Sequence, residues 1–341
     1  MASYATNDDL SDLFCLNRPP VENLTDKLQL SNGRIYAIRF DQLPHQPSLK
    51  LPVIGGILSL FHSQGRLSPN TTVVDAGNIN TGLSIAHFAR KLGFNTFYIM
   101  SRYFPADMLE LVRSRGVQVH PAPCKRGVKI EREFYSFLWE LSQDREFRNN
   151  KAFLWHAKYG NFVMRALGKL HAFENVTFNK IVTSVGSGST LNYLQSLNRH
   201  HNDNRADTII CEHENATLFA NKGISVRLSK SLKSGKVINP EHYGYRLPSN
   251  SRIPNSILGP HYEEINPFLG NIADAIESVV VFNDNDWINF DSGIFDKDAV
   301  GNSSLANLSV AKEIAEEGNT VLTAILEPSR EFYKHYLEKS A

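Results

Sequence analysis

From Thr71 to His120 the chain alternates apolar, strand-like runs with amphipathic segments of helical spacing, a rhythm that limits the fold more than any other feature. Thr71 to Ala76 (TTVVDA) reads as a strand, and Thr81 to Leu92 as a helix stopped by Gly93. Thr96 to Met100 is the next strand, Pro105 to Ser114 the next helix, closed by Gly116, and Val117 to His120 a third strand. Strands separated by single helices pair in parallel through right-handed crossovers. A second series starts near Ile181, with a strand into Val185, a helix Leu191–His200, a strand Thr208–Cys211 and a helix Ala216–Lys222. Two such series predict two α/β lobes, with a ligand cleft at the carboxyl ends of their strands.

The remaining segments fit around these series. Residues 1–30 read as irregular, Arg34–Phe40 as a strand, and Leu51 to Gln64 as a buried helix led by Lys50. Lys129 to Asn150 reads as a charged helix and residues 234–271 as one long ordered loop. Val279–Phe282 is a short strand, Leu305 to Glu317 a helix, Thr320 to Leu326 a last strand, and Pro328 onward a terminal helix. With 36 basic against 35 acidic residues, nothing in the charge calls for a nucleic acid or a membrane surface as partner. The longest near-apolar stretch, Pro52 to Phe61, is too short for a bilayer core of about 30 Å. No basic segment leads into an apolar core at the N-terminus, so no secretory signal is expected. Cys15, Cys124 and Cys211 form no CxxC pair and read as reduced thiols in a cytoplasmic protein. His87, His156, His200, His201 and His213 lack metal-ligand spacing, and no metal is expected.

Four short segments could carry chemistry. Lys50 follows Pro47-Ser48-Leu49 and heads a strongly apolar run, where an ammonium would be poorly solvated and its amine correspondingly nucleophilic. Gly77-Asn78-Ile79-Asn80-Thr81-Gly82 joins a strand to a helix, and its asparagines and threonine also suit a helix cap. Gly186, Ser187, Gly188, Ser189 and Thr190 follow an apolar strand and open a helix. Glycine backbone amides and hydroxyls converging there suit a phosphate dianion, although a generic strand-to-helix turn has the same look. This loop lacks GxGxxG, because Leu191 stands where the third glycine of a dinucleotide site belongs. Gly301-Asn302-Ser303-Ser304-Leu305-Ala306 opens the penultimate helix, where either serine could cap.

Taken together, in this order and at these separations, the segments resemble the fold-type-II pyridoxal-phosphate enzymes, most closely the cysteine synthase (O-acetylserine sulfhydrylase) group of the tryptophan synthase β superfamily. The resemblance runs from about Arg18 to the final helix. It implies an α/β, two-lobed molecule, each lobe an open, mainly parallel twisted sheet with flanking helices. Residues 50–160 would form the smaller lobe, and 1–49 with 161–341 the larger. Lys50 would be the Schiff-base lysine, Gly186 to Thr190 the phosphate cradle, and Ser303 the partner of the pyridine nitrogen. Without gaps from Lys50, the family asparagine that contacts the ring hydroxyl falls on Asn80; a two-residue insertion would move it to Asn78. Gly77, Asn78, Ile79 and Thr81 would then receive the substrate carboxylate.

The implied activity is β-replacement on an O-activated serine-type amino acid, with sulfide or another nucleophile, by a homodimer holding pyridoxal 5'-phosphate. A hydroxyl facing the pyridine nitrogen leaves it largely unprotonated, which favours elimination and replacement over transamination. β-Elimination, as in the serine and threonine dehydratases, and a non-catalytic cofactor-binding relative are the alternatives. The sequence departs from the family at Ile79 and Leu305, which replace glycines. It departs again over Ser249–Asn266, where His261, Tyr262, Glu263 and Glu264 stand in place of small residues.

Overall fold

The computed structural model describes residues 12–45, 48–100, 106–122, 130–171, 173, 176–201, 205–214, 219–220, 224–233, 275–283, 286, 290 and 300–328. The anticipated long loop 234–271, the segment Ser249–Asn266, Cys124 and the helix after Pro328 lie outside these residues.

Two sheets carry the architecture. The smaller comprises β3 (Thr72–Ala76), β4 (Asn95–Met100), β5 (Val119–Pro121) and β6 (Lys151–Phe153), in the order β5-β4-β3-β6 and all parallel. The larger sheet contains β1 (Val21–Asn23), β2 (Arg34–Arg39), β7 (Lys180–Ser184), β8 (Asp207–His213), β9 (Ser225–Leu228), β10 (Ile276–Phe282) and β11 (Thr320–Ile325). Its order is β1-β2-β11-β7-β8-β10-β9, parallel except for the β1–β2 edge pair. The α/β class, with mainly parallel sheets and flanking helices, is therefore as expected.

The helices follow from local sequence. In α1 (Lys50–Ser63) the first turn is closed by Ser48, whose Oγ accepts the Lys50 N–H at 3.1 Å. In α2 (Ile79–Leu92) the Asn78 side chain accepts from the Thr81 N–H at 3.3 Å, and Gly93 ends the helix at φ 76°. Only a residue without Cβ takes that left-handed backbone cheaply. α3 (Ala106–Ser114) and α4 (Ile130–Gln143) flank the small sheet, while α6 (Ser189–His201) and α8 (Asn302–Ala315) flank the large one, with the single turn α7 (Lys230–Lys233) between them in the chain.

Residues 151–170 depart from the sequence reading, which had no element there. They form β6 and then α5 (His156–Leu170), entered through Trp155 at φ 49°. α5 lies against both α1 and α6, at two glycines. A Cβ on Gly160 would approach Val53 Cγ1 to 2.7 Å, and one on Gly168 would lie 2.3 Å from the Tyr193 carbonyl oxygen. The helix expected at Ala216–Lys222 falls largely outside the described residues; Phe219 and Ala220 instead donate backbone N–H groups to Glu212, at 2.7 and 3.0 Å. That pairing gives Glu212 a structural role.

One apolar core runs from Ile54 and Phe61 of α1, through Phe88 and Tyr98, to Leu194 and Leu322 of the large-sheet side, so the two sheets share their main core. Separate clusters fill the outer faces, around Val280, Leu305 and Leu308 beside α8 and around Val74, Ile99 and Leu138 on the small sheet. Among the described residues no helix is long and apolar enough to cross a membrane.

His87 of α2 contacts Cys15 Sγ at 3.8 Å and stacks on His45. Burial first, then His45, Lys91 and Arg90, lower its pKa to about 4. A folded-state value below the unfolded one means that the unfolded chain binds the extra proton, so stability falls as pH drops from about 6.5 towards 4. Urea unfolding midpoints measured at pH 7 and pH 5 should therefore drop less in His87→Gln than in the natural protein.

Candidate active site

The site is built where strand ends and helix starts of both sheets meet. Lys50 is the first residue of α1, and the preceding Leu49 N–H donates to the Leu326 carbonyl at 2.8 Å, just past the end of β11. Leu326 N–H in turn donates to Ser304 Oγ at 2.9 Å. The lysine backbone is thereby fixed to the large sheet although its helix packs under the small one.

From that anchor the Lys50 Nζ reaches Ser187 Oγ at 3.3 Å, across 137 residues of sequence. Ser187 lies in the loop between β7 and α6, and its hydroxyl is 3.2 Å from that of Ser189. Gly188 takes φ 90°, a conformation that lets the loop turn its amides inward. Asn161 of α5 donates to the Ser187 carbonyl at 3.0 Å, and Asn192 donates to Asn161 and to the Gly188 carbonyl, each at 3.1 Å. The carbonyls of Ser187 and Gly188 are thus engaged, and the hydroxyls of Ser187, Ser189 and Thr190 stand at the N-terminus of α6. Gly186 completes the turn from β7. Hydroxyls, amides and a positive helix end beside a primary amine form a donor set that suits a phosphate ester carrying an adjacent aldehyde.

The opposite wall joins Asn80, Ser303 and Glu327. Asn80 Nδ2 donates to Glu327 Oε2, and Ser303 Oγ donates to Glu327 Oε1 at 3.4 Å. Gly301 N–H donates to the Glu327 carbonyl at 3.0 Å, holding the start of α8 against the end of β11. Glu327 is half-buried. Burial raises its pKa, against the opposing pull of the Lys50 charge and of the hydrogen bonds from Ser303 and Asn80.

Between these walls lies the loop Gly77 to Gly82. Asn78 serves as the α2 cap, and its carbonyl accepts from Tyr98 Oη at 2.6 Å. Asn80 is the asparagine that crosses to the large sheet. Beneath the loop, Asp75 Oδ2 is 3.0 Å from His156 Nδ1, and His156 Nε2 is 3.5 Å from Thr81 Oγ1. Gly77 is confined here, because a Cβ would stand 2.9 Å from Tyr98 Oη and 3.0 Å from His156. Tyr98, wholly buried and near the Asp75 charge, has its pKa raised well above the ordinary value, mainly by burial.

The structure thus gathers Lys50, Ser187, Asn80 and Ser303 around one cleft. The two glycine replacements differ in place: Leu305 is buried in the core beside α8, whereas Ile79 opens α2 and packs on the main core. Asp75, His156 and Glu327 were not anticipated. The one signal for Glu327 is a carboxylate one residue beyond the apolar strand TVLTAI, after Leu326, near a strand's carboxyl end.

No family model matches the chain. In sequence it is 24% identical over 323 residues to a cysteine synthase of Helicobacter pylori, covering 90% of this chain and 92% of that one. In structure it is similar to the O-acetylserine dependent cystathionine β-synthase of Helicobacter pylori, with a TM-score of 0.69 at 19% identity over 97% of this chain and 98% of that one. It is also similar to O-ureido-L-serine synthase, with a TM-score of 0.66 at 16% identity over 97% and 95% of the two chains. The fold is that of the fold-type-II pyridoxal-phosphate enzymes. Within that class, the likeness is to the cysteine synthases.

Asn78 as a cap has a measurable consequence. Asn78→Ala should lower the unfolding free energy by about 1 kcal/mol, and Asn78→Ser should recover most of it. Asn80→Ala, which leaves the cap intact, should not respond to this rescue when denaturant midpoints are compared.

Proposed function

We propose that the protein is a pyridoxal-phosphate-dependent enzyme that replaces the β-substituent of an O-activated serine, such as O-acetylserine, with sulfide or another nucleophile. The observation that carries the reading is the 3.3 Å approach of the Lys50 amine to Ser187 in the glycine-serine loop. A primary amine and an anion cradle, brought together from distant segments, match the aldehyde and phosphate of one cofactor. The cysteine synthase relative and the O-ureido-L-serine synthase likeness support this class of reaction, the second with a nucleophile other than sulfide.

In this reading Gly186, Ser187, Gly188, Ser189 and Thr190 hold the phosphate, Asn80 faces the ring hydroxyl and Ser303 the ring nitrogen. Bound there, pyridoxal phosphate supplies an electron sink for negative charge at the α-carbon of an attached amino acid. Lys50 would anchor the aldehyde carbon and, once the substrate amine has displaced it there, its freed amine would take the α-proton as general base. Gly77, Asn78, Ile79 and Thr81 would line the α2 N-terminus that receives the substrate carboxylate, although the Gly77 and Thr81 N–H groups are themselves engaged by Ile99 and Asn78. Asp75 and His156 orient the Thr81 hydroxyl from below. We assign residues 50–160 to a smaller lobe and 1–49 with 161–341 to a larger one, in line with the separate four- and seven-stranded sheets. Homodimeric assembly and a cytoplasmic location complete the proposal; the buried free thiols of Cys15 and Cys211 accord with a reducing compartment.

The natural protein incubated with pyridoxal phosphate should turn yellow, and borohydride should fix the cofactor on Lys50. Lys50→Ala should abolish turnover with O-acetylserine and leave no borohydride-stable adduct while retaining its unfolding midpoint. A colourless natural protein, or an adduct on another lysine, contradicts the assignment.

Gly188→Asp would place a charge within a few Å of the phosphate, a repulsion of about 1–4 kcal/mol for effective dielectrics between those of water and a protein surface. Gly188→Ala carries the same backbone strain without the charge. Equilibrium titration should therefore show much weaker cofactor binding in the aspartate variant than in the alanine one.

A further inference from the structure

We propose that the Glu327 carboxyl, together with Ser303, is the partner of the cofactor's ring nitrogen and supplies the proton that this nitrogen carries. The inference rests on the reading of the cleft as a pyridoxal-phosphate site and changes what that site can do. In pyridoxal phosphate the nitrogen lies para to the carbon bearing the aldehyde, and the phosphate arm is next to that carbon. With the aldehyde at Lys50 and the phosphate at the loop 186–190, the nitrogen points away from the lysine. Asn80, Ser303 and Glu327, which also feels the Lys50 charge, are joined through the two oxygens of one carboxyl group, and Ser303 is the residue expected at the ring nitrogen. Of these three, Glu327 is the one that titrates.

The placement is fixed by the backbone rather than by a mobile side chain. Leu326 N–H is held by Ser304, the Leu326 carbonyl by Leu49, and the Glu327 carbonyl by Gly301. The carboxyl therefore stands at the strand end that also positions Lys50 and the first turn of α8. It is half-buried rather than sealed off. Burial also favours its neutral, proton-bearing form.

A neutral carboxyl facing a basic aromatic nitrogen resolves an otherwise costly burial. The O–H bond breaks, an N–H bond forms, and the resulting carboxylate keeps its hydrogen bonds from Asn80 and Ser303 while facing a pyridinium. Charge is then buried as a hydrogen-bonded pair rather than singly. A carboxylate partner is the arrangement that keeps the nitrogen protonated and strengthens the electron sink. Ser303 alone would leave the nitrogen neutral. Glu327 therefore sets an acidic partner beside the hydroxyl expected from the cysteine synthase resemblance, and with it a readier loss of the α-proton.

The test is ¹⁵N NMR of the protein loaded with ring-¹⁵N pyridoxal phosphate, for the natural chain, Glu327→Gln and Ser303→Ala, with unfolding midpoints measured alongside. The natural protein and Ser303→Ala should both give the protonated-pyridine shift. Glu327→Gln, nearly isosteric, should bind cofactor and give the neutral-pyridine shift. A loaded natural protein with a neutral nitrogen, or a Glu327→Gln signal unchanged from the natural one, overturns this inference and leaves the functional reading standing. Cofactor uptake by Glu327→Gln but not by the natural chain would show that Glu327 obstructs the ring, which also overturns it. If neither protein takes up cofactor, both the inference and the functional reading fail.

Discussion

The backbone hydrogen bond from Leu49 N–H to the Leu326 carbonyl, at 2.8 Å, is the constraint on which the site depends. It ties the start of α1, which packs beneath the small sheet, to the carboxyl end of β11, an interior strand of the large sheet. Without it, Lys50 would begin a helix whose position relative to Ser187 and Ser303 rested on side-chain packing alone. With it, an amine, an anion cradle and a carboxyl are referred to the same strand end. The shared core from Ile54 through Tyr98 to Leu322 supports the bond by fixing the two sheets against each other.

The polar groups of the candidate site are divided by chemistry. Asn161 and Asn192 engage the carbonyls of the loop 186–190, whose amides and hydroxyls are the donors proposed for an anion. The α2 N-terminus offers a second anion site, held from below by Asp75, His156 and Tyr98. The third wall is the acidic one, where Glu327 accepts from both Asn80 and Ser303. Two cationic ends facing one carboxyl suit a ligand with two anionic groups and a basic nitrogen, a description that fits an amino acid joined to pyridoxal phosphate.

Much of this was legible in the sequence because period and punctuation agree. The strands before Ala76 and Met100, the Asn78 cap and the Gly93 stop were plain, since local propensity and tertiary role coincide there. β6 and α5 were not. β6 spans only three residues, and α5 carries Gly160 and Gly168, which weaken a helical reading and are required by close contacts with Val53 and Tyr193. The candidate residues Lys50, Gly186–Thr190 and Ser303 could be named from sequence because short motifs carry them, and the structure brings Lys50 to Ser187 and Ser303 to Glu327. Asp75, His156 and Glu327 stayed hidden because each acquires its role only through a partner on another element. Leu305 looked like a disturbance of the site and proves to face the core, a distinction that sequence order cannot draw.

The central claim is that one cofactor spans Lys50 and the loop 186–190. Its most direct test is a crystal structure grown in the presence of pyridoxal phosphate. The account predicts continuous density from Lys50 Nζ into the ring, the phosphate among Gly186 to Thr190, and the ring edge against Asn80, Ser303 and Glu327. Phosphate density elsewhere, or a ring bonded to a different lysine, would contradict it.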